Sequence, residues 1–206
     1  MKIHPADLEK SGYIFLEKLN HFELLAFLNE QNKSKGLFFN IYLVCLIIPI
    51  PFLSYFLTLH ILRDDIAILE AILFCLLGIG LVLIFIPVHE LLHALGYQLI
   101  GAKNISYFAN LKKFYFATIS DKSVINLAEF KIVALMPFLI VLICAISLFT
   151  FVGIEWQIAT LSFVATHNLF CGGDFSLLNY LQNNKHQGIV TYDDKEKKET
   201  YFYVEK

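Results

Sequence analysis

The run from Ile66 to Pro87 is apolar almost without interruption, and no break signal separates it from His89–Ile100. A membrane span needs about 20 such residues, so this one run is long enough to cross a bilayer. Three further segments share its character. Leu37–Leu62 contains Pro49 and Pro51, which should kink it. Leu127–Val152 carries Pro137 in its interior. Trp156–Phe170 is the shortest, and must borrow Ile154 and the Gly172-Gly173 side to reach across. Composition agrees: 57% of the chain is hydrophobic and 17% charged, against roughly 45–50% and 25% in soluble domains. The expected fold is an all-α integral membrane protein, with about four transmembrane helices and small cytoplasmic β-hairpin elements. Residues 1–35 then form a cytoplasmic N-terminal segment, 36–182 a four-span membrane domain, and 183–206 a cytoplasmic tail.

The basic residues orient this arrangement. The N-terminal region, the first loop, the second loop region, the third loop and the tail carry five, one, five, none and five Lys or Arg. Basic residues accumulate on the cytoplasmic side, so both termini and the second loop are expected there, in a multi-pass protein of the cell membrane. The first apolar run begins near Gly36 and is too long for a cleaved signal segment, so it reads as an uncleaved anchor. A net charge of −2 offers no case for nucleic-acid binding. Cys45, Cys75, Cys144 and Cys171 fall in or beside different apolar segments without CxxC spacing, and read as small apolar membrane residues. A transporter is disfavoured, because no repeated halves or paired broken helices are evident.

Outside the spans, residues 13–31 show an apolar stripe through Ile14, Phe15, Leu16, Leu19, Phe22, Leu25 and Phe27. This predicts a helix lying on the protein or membrane surface. Asn104–Asn126 is rich in β-branched and aromatic residues and predicts a hairpin turning near Asn110–Lys113. A second hairpin is predicted in the tail, where Ile189–Tyr192 and Thr200–Val204 flank the charged run Asp193–Glu199.

The chemistry is concentrated in His89-Glu90-Leu91-Leu92-His93, an HExxH motif at the end of the long apolar run. On a helix, residues four apart share a face, so both imidazoles can reach one metal ion. Glu90 is placed to act as general base on a metal-bound water. Zinc is the expected metal, since two neutral imidazoles suit it. Unpaired ionisable groups among Leu, Ile and Val are costly and usually functional.

A catalytic zinc needs a third protein ligand, and none stands shortly after His93. The second and fourth spans run in the same direction, which brings the end of the fourth to the depth of the motif. That end reads His167-Asn168-Leu169-Phe170-Cys171-Gly172-Gly173-Asp174. Asp174 is the expected third ligand, with the two glycines loosening the helix before it. His167 is an alternative third ligand or an oxyanion donor, and Asn168 is a second oxyanion candidate. Glu129 stays open as a further ligand.

With His89–Gly96 and Gly172-Gly173-Asp174 in view, the chain resembles the small bacterial membrane proteins grouped as putative zincin peptidases. More distantly it is similar to the site-2 intramembrane metalloproteases, although Gly-Gly-Asp stands where that group has Leu-Asp-Gly. The resemblance implies that His89, His93 and Asp174 are zinc ligands and Glu90 the base. The expected function is a membrane-embedded zinc (Zn2+) metallopeptidase acting on peptide or membrane-protein substrates, within or beside the bilayer near the cytoplasmic face. The alternative is a non-enzymatic metal-binding scaffold or regulatory protein.

Overall fold

A computed structural model of the chain describes residues 3–23, 26–27, 30, 35–110 and 115–206. The protein is mostly helical. Helices α1 (Leu37–Ile47) and α2 (Pro49–Leu62) follow each other directly, and α3 (Ile68–Leu99) is the longest. After a pair of strands come α4 (Leu127–Phe149), α5 (Ile154–Phe170) and α6 (Gly172–Asn183). The interruption between α1 and α2 falls at Ile48, immediately before Pro49, which has no N–H to continue the ladder.

Among the described residues, three helical stretches are long and apolar enough to cross a membrane: Leu37–Leu62, Ile68–Leu99 and Leu127–Phe149. Exposed apolar residues on two of them, Ile72, Leu76, Leu83 and Ile84 of α3 and Ile143 and Ile146 of α4, are compatible with membrane insertion. The expected fourth span, α5, is not among these three. α5 has 17 residues, about 25 Å of rise against a hydrocarbon core of about 30 Å. It begins at Ile154 as expected, but stops at Phe170 and buries Thr160, Ser162, His167 and Asn168.

The chain divides into two compact units. One comprises Asn40–Val88 and Pro137–Gly172. Its core gathers Ile66, Ala71 and Ile158, with Leu53, Phe56, Leu57 and Phe74 packed against them. The other comprises Met1–Phe39, His89–Met136 and Gly173–Lys206, and it holds the strands. β1 (Tyr13–Asn20), β6 (Glu199–Glu205), β5 (Val190–Asp194) and β4 (Ile125–Asn126) form a four-stranded sheet in that spatial order, while β2 (Ile105–Asn110) pairs with β3 (Tyr115–Ser120). The sheet buries Phe202, Val204 and Leu19 against Tyr180 and Leu181 of α6.

Both predicted hairpins are present. β2 and β3 are antiparallel, with Ile105 opposite Ser120, and the expected turn beyond Asn110 lies outside the described residues. The tail hairpin pairs Val190 with Tyr203 and Asp194 with Glu199. The surface helix expected over 13–31 is corrected in its first part: Tyr13–Asn20 is a strand, antiparallel to β6 from Tyr13–Glu205 to Asn20–Glu199, with a bulge at Leu16, while Ala26, Phe27 and Glu30 are helical. Gly12 precedes it at φ 91°, and His21–Glu23 is a short 3-10 turn. A tail strand with an open edge offers this segment a ladder, and that pairing overrides a stripe with helical spacing. Phe27, from the same stripe, packs on Tyr180 and Phe202, while Leu25 lies outside the described residues. The all-α expectation is thus too narrow: the tail hairpin is the centre of a sheet.

Candidate metal centre

His89 and His93 both lie on α3 and are both buried. Their spacing of four residues puts the rings on one face, with the two Nε2 atoms 3.1 Å apart. Asp174 arrives from the first turn of α6. Its Oδ2 is 3.4 Å from His89 Nε2 and its Oδ1 is 3.2 Å from His93 Nε2. The positive end of the α6 dipole favours a carboxylate at that place. Burial works to raise the Asp174 carboxyl, and the imidazoles of His93 and His89 outweigh it, holding it below the ordinary carboxylate range.

The glycines before Asp174 act differently from expectation. The chain turns at Cys171 (φ −70°, ψ −3°), and Gly172 and Gly173 already belong to α6. Gly172 is required for space: a Cβ there would meet the Tyr42 hydroxyl at 2.9 Å and its Cζ at 3.3 Å.

Two further contacts hold the motif. Nδ1 of His93 lies 2.9 Å from the carbonyl oxygen of Val133 in α4. A carbonyl only accepts, so Nδ1 carries the proton, and Nε2 is the atom that would be offered to a metal on the side of His89 and Asp174. The Thr118 hydroxyl of β3 lies 2.8 Å from Oε2 of Glu90 and donates to it. Hairpin β2–β3 thereby orients the carboxylate beside the two histidines. Nothing in the periodicity of the hairpin singles out Thr118, and the Val133 carbonyl has no side-chain signature at all.

The donor set fits zinc. Ligands about 2.0–2.2 Å from a tetrahedral ion lie about 3.3–3.5 Å from one another. The two imidazole nitrogens, 3.1 Å apart, are close to such an edge, and one donor atom from each of His89, His93 and Asp174 lies within 4.8 Å of the others, near enough to converge on one ion. Two neutral imidazoles and one carboxylate also form a usual hydrolytic zinc set.

The other residues singled out from sequence have partners of their own. His167 is buried in the unit that contains α5, stacked on Phe163 and edge-on to Phe85, with Cys171 Sγ 3.7 Å from its Nδ1. In the same unit Asn168 donates from Nδ2 to the Cys45 carbonyl at 2.8 Å. Glu129 closes a capping box at the start of α4. Its carboxylate accepts from the Asn126 N–H at 3.0 Å, and its own N–H donates to Asn126 Oδ1 at 3.0 Å.

Residues 82–188, just over half of the chain, match the family model described as "Putative zincin peptidase". That interval takes in the HExxH motif, hairpin β2–β3, α4, α5 and α6. Searches of curated proteins and of solved structures found no match.

Proposed function

This chain belongs to the Putative zincin peptidase family, and from that premise we propose that it is a zinc metallopeptidase embedded in the membrane. In this reading it hydrolyses peptide bonds of membrane or juxtamembrane substrates near the cytoplasmic face. The observation that carries the reading is the convergence of His89 Nε2, His93 Nε2 and the Asp174 carboxylate within 3.4 Å of one another, with Glu90 beside them. A purely structural metal site has no use for a carboxylate base at that position.

Zinc bound by these three residues supplies Lewis acidity toward a water and the scissile carbonyl. The chain's own groups do the rest. Glu90 takes the proton of the attacking water and delivers it to the departing amine. With Oε2 held by Thr118, Oε1 is the oxygen left to accept that proton. His93 keeps a single tautomer through Val133.

Three apolar helices support insertion into a bilayer, and the alternating lysine pattern supports cytoplasmic termini. A peptide bond inside a helix is shielded by its hydrogen bonds, so a substrate has to be extended at the site. Hairpin β2–β3 supplies a strand edge on which such a segment can add. Phe116→Pro would spoil that edge, and unchanged cleavage by this variant would discard strand addition.

The test of the main reading is elemental mass spectrometry of detergent-purified protein, paired with peptide turnover. The expected result is about one zinc per chain, lost in Asp174→Ala. Glu90→Gln should keep the zinc and lose turnover. A chain that takes up no zinc, or a Glu90→Gln variant with full cellular function, would favour a non-enzymatic scaffold instead.

A further inference from the structure

In α4 the Val133 carbonyl stands four residues before Pro137. An α-helix joins each carbonyl to the N–H four residues on, and proline has no N–H to give. Val133 therefore lacks that bond, within a segment apolar enough to cross a membrane. An unmet backbone acceptor in such surroundings is expensive, and a neighbouring helix usually supplies the donor. Here the donor is Nδ1 of His93, at 2.9 Å. Gly96, one turn beyond His93, permits the approach: a Cβ there would lie 3.0 Å from Val133 Cα.

The same device occurs a second time, in the other unit. The Cys45 carbonyl stands four residues before Pro49, the backbone at Ile48 remains helical (φ −57°, ψ −43°), and Asn168 donates to that carbonyl at 2.8 Å. In both places a proline releases an acceptor and a side chain from another helix takes it up.

We infer that Pro137 is a positioning residue of the metal centre: by withholding an N–H it leaves the Val133 carbonyl to hold Nδ1–H of His93, which fixes the tautomer that turns Nε2 toward His89 and Asp174. This role rests on the zinc reading given above. It assigns to Pro137 a task distinct from bending α4. A residue with an N–H at position 137 would close the helical bond to Val133 and compete with His93 for one acceptor. The imidazole would then be free to exchange tautomers, and one of the two would present a proton where a ligand lone pair is needed.

The experiment uses the full chain in detergent with 15N-labelled histidine. Zinc affinity is measured by competition with a chromogenic chelator, and the tautomer of His93 is read by NMR on metal-free protein at a pH where the ring is neutral. Pro137→Ala should weaken zinc binding about 10–100-fold, as loss of a partner behind a ligating histidine does. It should also convert a single Nδ1–H form of His93 into a mixture. The double variant Met136→Pro/Pro137→Met keeps a proline kink but releases the Ile132 carbonyl instead, and should show the same losses. Wild-type affinity and tautomer in Pro137→Ala would overturn the inference, as would their full recovery in the double variant, which would make the kink the cause. A wild-type chain that binds no zinc would sink the metal reading and Pro137's service to it. The tautomer measurement would still show which of the two had failed.

Discussion

The Thr118 hydroxyl lies 2.8 Å from Oε2 of Glu90 and 2.9 Å from the carbonyl oxygen of the same residue. A hydroxyl has one proton, so it donates to one of the two at a time. A charged carboxylate is the stronger acceptor, and the bond to it dominates while Glu90 is ionised. Once Glu90 holds a proton, the backbone carbonyl offers Thr118 a second place to donate without moving. The hairpin thus supports the base in both of its states.

Removing that hydroxyl should act on the chemical step rather than on binding. Thr118→Val keeps the shape and strand preference, and should lower kcat about 10–100-fold, the worth of a hydrogen bond to a charged group. KM and zinc content should stay near wild type, and Thr118→Ser should recover most of the rate. Steady-state kinetics on a peptide substrate would decide it. A Thr118→Val enzyme with unchanged kcat would leave the contact without a catalytic part.

Asn168 is an oxyanion candidate from sequence, and its hydrogen bond in the structure points to stability. Its amide satisfies the Cys45 carbonyl that Pro49 leaves open. Asn168→Leu should cost about 1–3 kcal/mol, the range for a buried acceptor left unmet. Denaturant unfolding in detergent would measure this, with zinc content unaltered. Should the variant unfold like wild type yet lose turnover, the oxyanion role would return.

The legible and illegible parts of this chain separate along physical lines. His89, Glu90 and His93 declare themselves because they share one helix, where spacing converts directly into direction. Asp174 could be reached from topology, since few ionisable residues stand near an apolar helix end. Pro137 stands in the sequence only as a proline inside an apolar run, because its effect is exerted on a carbonyl four residues away and on a histidine of another helix. Thr118 was silent for the same reason: its significance is tertiary. Tyr13–Asn20 misled because its stripe fits a helix locally, while its partner strand lies at the far end of the chain. α5 has the apolar character of a span but only 17 residues, and its buried Thr160, Ser162, His167 and Asn168 carry no helical stripe that the sequence marks as inward.

The sheet carries its own pH dependence. Glu199 accepts from Lys18 Nζ at 2.7 Å and from the Tyr201 hydroxyl at 2.5 Å. The Lys18 bond, then the Tyr201 bond, holds the Glu199 carboxyl below its ordinary range. The Glu199 bond, followed by burial, pushes the Tyr201 phenol up to about 12. A lowered carboxyl stabilises the fold above its unfolded pKa of about 4.3, and the contribution is lost as pH falls through the folded value. A raised phenol contributes below its unfolded pKa of about 10, and that contribution is lost as pH rises toward the folded value. The β1–β6 pairing should therefore be firmest from about pH 5 to 9. In ultraviolet difference titration against Tyr201→Phe, the Tyr201 phenolate should form near 12 in wild type and at lower pH, toward the ordinary value of about 10, in Glu199→Gln. An unshifted titration in Glu199→Gln would remove Glu199 as the cause.

Gly96 offers the sharpest test of how closely α3 and α4 must meet. A Cβ at this position would fall 3.0 Å from Val133 Cα, a backbone atom that cannot swing aside. Gly96→Ala should part the helices by a few tenths of an ångström and stretch the bond from His93 to Val133. The expected consequence is a loss of about 10-fold in zinc affinity, at the lower end of what a disturbed partner of a ligand costs. Helix content should not fall, because alanine is the better helix former by about 1 kcal/mol. Trimming the neighbour in Gly96→Ala/Val133→Ala should not restore the affinity, since the tight contact is with Cα rather than with the side chain. Chelator competition beside circular dichroism would show both. Wild-type zinc affinity in Gly96→Ala would mean that the carbonyl bond survives the displacement, and that the glycine serves packing alone.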